Sequence, residues 1–294
     1  MSEPHPKFFK DVKMSILKKQ ILLLGCLLCA TNYSAAFSVD EARKSIKKNG
    51  VPIWEKQAKK VSKQMKDVTD AEVLQIWSNL DGLYAKDDEK SIKEHLLNPK
   101  NSKEAIANTN WLLSAILSKN ADGRYAYYYS YLMDLAQKAG NKELKTESMV
   151  FYVLAHLSTE LDSLYCADQT ARGIITKKYE SESFIQAVDE QKRKYSKDEM
   201  LNFFLNAISI EELRGAREPK AIFCQYSNES ILKAIKLGRT PKAEKIPDGA
   251  MKGVTVVSDF TLDTSDIPQN YISKEDFLKE REKYINHTIS AFTD

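Results

Sequence analysis

Residues 144–164 read LKTESMVFYVLAHLSTELDSL. Leu144, Phe151, Leu154, Leu157, Leu161 and Leu164 recur at separations of three, four or seven, the spacing of a helix. The segment is apolar around much of its circumference, and such a helix has to be enclosed by other elements rather than float on a surface. The pattern predicts a helix over 141–165 at the centre of a helical core.

Working outward, the chain carries few structure breakers. Ten glycines and eight prolines in 294 residues favour long helices over many-turned sheets. Helices are expected over 39–48, 52–67, 70–85, 88–97, 102–119, 123–139, 141–165, 170–178, 181–194, 197–214, 228–237 and 274–290. Thr69-Asp70-Ala71-Glu72 and Ser196-Lys197-Asp198-Glu199 fit the capping box, with Ser38/Glu41 and Asn101/Glu104 as looser versions. Gly50, Gly140 and Gly238 each follow a basic, helix-like run and are expected to end it. In 52–67, Trp54, Ala58, Val61 and Met65 form one apolar stripe, and Trp111, Leu112, Ala115 and Ile116 broaden the face of 102–119. The fold class is mainly all-α: a multi-helix bundle or irregular helical array, with an extended Pro/Gly-containing segment before a C-terminal helix. Helices joined at 120–123 and 140–141 have the rhythm of paired-helix repeats, but no period recurs, so no repeat is assigned.

The character changes over 239–272, where Pro241, Pro247, Pro268, Gly249 and Gly253 interrupt helix formation. Val254-Thr255-Val256-Val257 has the β-branched density of a short strand or extended packing segment. The expected organisation is a helical domain over 37–238, a linker over 239–272 that wraps back along it, and a terminal helix over 273–294. That last helix is started by Ser273 and carries Phe277, Leu278, Tyr284 and Ile285.

Residues 1–36 read as an export signal. Lys18 and Lys19 precede an uncharged run over 21–30, and Ser34-Ala35-Ala36 supplies the small residues a signal peptidase requires. The expected cut falls between Ala36 and Phe37. Met14 begins a well-proportioned signal by itself, so 1–13 could be a start-site misassignment. Leu23-Leu24-Gly25-Cys26 offers the alternative of a lipoprotein anchored at Cys26, although little apolar chain precedes it. The expected location is periplasmic or secreted. Five lysines and two acids lie in 1–36, so the net charge of +3 belongs to that segment. The remainder is electrically neutral, and no global field favours nucleic acid as a partner. Cys166 and Cys224 are the cysteines left after the cut, and in an oxidising compartment they read as a disulfide. By chain entropy it would stabilise the fold by about 4 kcal/mol.

Several clusters could carry chemistry. Tyr125, Tyr127, Tyr128, Tyr129 and Tyr131 crowd one helix. Pointing in several directions, they offer a stacking surface for sugars or peptide side chains, or else pack inward through Tyr125, Tyr128 and Leu132. His156 and Glu160 share a helical face, a spacing that can hold a metal, but two ligands do not make a site and no cofactor or metal is assigned. Asp162, Asp168 and Arg172 could line a cleft at the Cys166 corner. Glu211, Glu212, Arg214 and Arg217 read as a solvated charged helix end. No nucleophile elbow or phosphate loop is present, and no catalytic residue is assigned. Residues 42–66 hold nine Lys or Arg against Glu55. With the Trp54 stripe they make a basic amphipathic helix that can meet a membrane surface, a partner's groove, or its own domain. The leading expectation is a binding or scaffolding module whose partner is another protein or envelope component. The alternatives are a carboxylate hydrolase near Asp162, Asp168 and Glu212 with His156, and membrane-surface association through 52–66.

Overall fold

Ser38 opens the fold by accepting the Glu41 N–H at 3.3 Å while the Glu41 carboxylate takes the Ser38 N–H at 3.0 Å, a complete capping box. The computed structural model describes residues 38–117, 121–138, 140–141, 144–239, 242–243, 260–261 and 267–293. The expected export signal with its expected cut at Ala36/Phe37, the alternative anchor Cys26 and the Val254–Val257 segment lie outside these residues.

Helix α1 (Val39–Ser45) runs through a π-helical turn (Ile46–Gly50) directly into α2 (Val51–Lys66). Gly50 therefore does not end a helix as expected; it keeps right-handed dihedrals, with φ −68°. Its lack of a side chain serves packing, because a Cβ there would lie 2.0 Å from Ser209 Oγ. Next come α3 (Ala71–Ala85), α4 (Glu89–Leu97) and α5 (Ser102–Leu117). The α3 cap is Asp70 rather than Thr69, its carboxylate accepting from both Glu72 and Val73 N–H groups.

Helices α6 (Gly123–Lys138) and α7 (Leu144–Ser163) form the central antiparallel pair. Ser130 and Ser148 exchange hydroxyl-to-carbonyl bonds across it at 2.8 and 2.9 Å. Along α7 only Lys145, Thr146, His156 and Glu160 escape full burial, as its apolar circumference requires. After a 3₁₀ turn (Gln169–Ala171), α8 (Ile174–Glu180) and α9 (Ser183–Asp189) follow, and a second 3₁₀ turn (Glu190–Lys194) leads to α10 (Lys197–Arg214). The helix expected over 170–178 is split because Gly173 adopts φ 73°, a left-handed conformation open to glycine. Gly140 and Gly238 also take positive φ and close their helices as expected.

Short α11 (Ala221–Cys224) and α12 (Asn228–Lys236) follow, then a two-residue antiparallel pair, β1 (Lys242–Ala243) with β2 (Phe260–Thr261), and finally α13 (Lys274–Thr293). The chain is all-α, an array packed around α6 and α7. Cys166 and Cys224 are joined as a disulfide, their Cα atoms 5.3 Å apart. Residues 270–272 lie alongside it: Ala167 donates to Asn270 O and Ile272 to Tyr165 O. Phe277 stacks on Tyr165 at 3.6 Å, and α13 buries Phe277, Arg281, Ile285 and Ile289. Leu278, expected in that face, is exposed even though its direction falls between those of Ile285 and Ile289. No helix among the described residues is long and apolar enough to cross a membrane.

Candidate functional site

The tyrosine cluster is not a surface. Tyr125, Tyr127, Tyr128 and Tyr129 are 0% exposed and Tyr131 is 7% exposed, which corrects the stacking-platform expectation. A helix enclosed on every side points all its side chains inward, and tyrosine tolerates this if its hydroxyl finds an acceptor. Tyr128 donates to Glu89 at 2.7 Å and Tyr129 to Glu147 at 2.5 Å. Tyr127 stacks on Tyr179 and Tyr125 packs edge-on against Tyr84 and Trp111.

The acidic residues considered for hydrolysis do not converge. His156 Nδ1 pairs with Glu180 at 3.0 Å rather than with Glu160. Asp168 caps the 3₁₀ turn through Thr170 and also accepts the Glu229 N–H at 2.8 Å. Arg172 reaches Glu280 at 3.7 Å, and Glu212 is bound by Arg43 and Arg281. No three His, Cys, Asp or Glu side chains converge as a metal-binding set among the described residues.

The charged end of α10 is buried, not solvated. Glu211 and Arg214 are each 1% exposed and Arg217 is 7%. Glu211 receives Arg214 at 2.9 Å, Arg217 at 2.8 Å and the Ser158 hydroxyl. Arg217 also donates to Asp162 at 2.8 Å. Burial opposes the Glu211 charge, but Arg217 and Arg214 outweigh it and hold its pKa down at about 2. For Asp162 burial wins over Arg217, with Glu211 adding repulsion, and the carboxyl rises to about 6. Burial and Arg217 together lower Arg214 to about 10.

A second buried node stands at the start of α6. Arg124 grips Asp122 through two 2.9 Å bonds and reaches Glu89 and Asp87, and Lys220 donates to Asp122 at 2.8 Å. Gly123 makes this approach possible, since a Cβ would stand 2.7 Å from both Ala155 O and Thr159 N on α7. Buried networks of this kind fix which elements meet; removing one partner is costly, while the whole adds little net stability. Each node pairs acids with bases, which lets these charges be buried and ties α6, α7 and α10 together.

An open groove of about 620 Å³ lies between α2 and the end of α5. Buried Val61 and Leu117, with half-buried Ala58, form its apolar base. Ser62 and Ser114 line it with small side chains, exposed Lys59, Lys63 and Lys66 stand along α2 at its edge, and exposed Asp67 just past α2 completes the lining. These lysines are four and three positions apart and share one side of the helix. The α2 stripe itself docks inward: Trp54 meets Phe151 edge-on at 5.9 Å and donates to Asn206 at 3.2 Å. The basic run was visible in the sequence; Ser114 and Leu117 carried no signal, because their role depends on how α5 meets α2. No protein-family model matches the chain, and neither does any curated protein or solved structure.

Proposed function

We propose that this chain is an exported, all-α binding module that seats a partner in the groove between α2 and α5. The observation that carries the reading is the groove itself: an apolar floor, small walls and three exposed lysines against one acid, Asp67, in a size range suited to recognition. The signal grammar of residues 1–36 and the Cys166–Cys224 disulfide support export to an oxidising compartment such as the periplasm or the medium. The dispersal of His156, Asp162 and Glu212 into separate ion pairs, and of Asp168 into a turn cap, weighs against the hydrolase alternative. The inward docking of Trp54 and Val61 weighs against insertion of α2 into a bilayer.

The test places a photo-crosslinking residue at Ser62 or Ser114 of the chain expressed in its native host, with exposed Lys236 on α12 as the comparison site. Discrete adducts from the first two positions and not the third are expected. Equal labelling at all three would remove the groove from the account. N-terminal sequencing of the exported form is expected to begin at Phe37, whereas a blocked Cys26 would replace soluble export with lipid anchoring.

A further inference from the structure

We infer that the occupant of the α2–α5 groove is an amphipathic helix of a partner protein, presenting acidic residues at i, i+4 and i+7 beside an apolar edge. This rests on the groove being the binding site.

The argument is one of matched spacing. Lys59, Lys63 and Lys66 follow the helical repeat, so their Cα atoms rise by about 6 and 10 Å along the α2 axis. A helix laid beside α2 repeats carboxylates at the same intervals, whereas a strand places same-side residues about 6.6 Å apart or multiples of it. Val61 and Leu117 only floor the groove, being 5% and 8% exposed, and half-buried Ala58 with Ser62 and Ser114 are small enough for close backbone approach. Charge is complementary as well as spacing, since Lys59, Lys63 and Lys66 outnumber the single acid of the lining, Asp67. Among the described residues Lys59 pairs with Glu55, an exposed pair at 2.7 Å that an incoming carboxylate can replace. Among the described residues, no ion pair holds Lys63 or Lys66. A concave, apolar-based site favours this guest over an anionic bilayer, because a flat lipid surface cannot enter the groove and α2 keeps its own apolar stripe buried.

The test titrates the mature chain, residues 37–294, against three fluorescent helical peptides by anisotropy. One carries Glu at i, i+4 and i+7 beside a Leu edge; one has Lys in place of Glu; one has the acidic composition scrambled. Vesicles of phosphatidylglycerol and phosphatidylcholine in equal parts are titrated alongside. The acidic helix is expected to bind at least about tenfold more tightly than either control peptide and to weaken as salt shortens the Debye length. The combined Lys59→Gln, Lys63→Gln, Lys66→Gln variant is expected to lose about tenfold or more in affinity. Ser114→Trp, which fills the groove without altering charge, should lose binding too, with thermal melts confirming that both variants fold.

Equal binding of the scrambled peptide, or full binding by Ser114→Trp, would overturn the helix-in-groove assignment. Vesicle binding that the acidic helix does not compete away would assign the lysines to lipid instead. If crosslinks form at Ser62 and Ser114 while the acidic helix does not bind, the groove stands as the site and the partner class falls.

Discussion

Glu147→Gln is expected to reverse part of the pH dependence of this protein's stability. Glu147 sits 3% exposed between α6 and α7, where Tyr129 donates to one carboxylate oxygen at 2.5 Å. Its other oxygen has no partner among the described residues. Burial raises its pKa from the ordinary 4.5 to about 7, and the Tyr129 bond only partly opposes that rise. A carboxyl with a raised folded pKa binds more protons folded than unfolded across this interval, so stability falls as pH climbs from about 4.5 to about 7 and then levels off. The displacement corresponds to about 3 kcal/mol lost between acid and mildly alkaline solution. Glutamine keeps an acceptor for Tyr129 and cannot ionise, but leaves an amide N–H₂ to be housed at about 1–3 kcal/mol. Thermal melts of parent and variant at pH 4, 6 and 8 read the difference. The variant should be level with or below the parent at pH 4 and gain on it by about 3 kcal/mol by pH 8, on the order of 6–12 °C for a chain of this size. Parallel Tm–pH curves for the two proteins would refute the reasoning.

Four further outcomes follow from the packing. Glu211→Gln leaves Arg214 and Arg217 without their shared counter-charge and should cost about 3–5 kcal/mol in a denaturant titration at neutral pH. Because the Glu211 pKa is lowered to about 2, its contribution is present above the ordinary carboxylate range and is lost as pH falls through about 2, so parent and variant should converge there. Gly123→Ala drives a methyl to 2.7 Å from α7 backbone atoms and should destabilise by at least about 2 kcal/mol. Gly82→Ala, which meets nothing within 4 Å, should be neutral or gain up to about 1 kcal/mol. Replacing Cys166 and Cys224 together by alanine should cost about 2–5 kcal/mol, and the unreduced, denatured parent should show no reaction of either cysteine with a thiol reagent.

Local signals carried most of the helix assignments, since apolar periodicity and caps are read within a few residues. The 144–164 segment announced its central place because it is apolar around much of its circumference, with only Lys145, Thr146, His156 and Glu160 left partly exposed. The same rules failed where an outcome depends on distant partners. Glu211, Arg214 and Arg217 look solvated when α10 is read alone; they are buried because Ser158 and Asp162, more than forty residues earlier, meet them. The five tyrosines suggested a surface only on the assumption that α6 has an outer face along 125–131, and it has none there. Gly50 carried the signature of a helix end, while its real constraint is the approach of Ser209. At the candidate site, the lysines and the Trp54 stripe were legible, but the groove was not, because it exists only where α2 and α5 come together.

The most direct measurement is hydrogen–deuterium exchange of the mature chain with and without the acidic helical peptide. Slowed exchange confined to residues 58–67 and 114–117 is the predicted result. Protection centred elsewhere, such as on α12, or none at saturating peptide, would contradict a binding module that works through the α2–α5 groove.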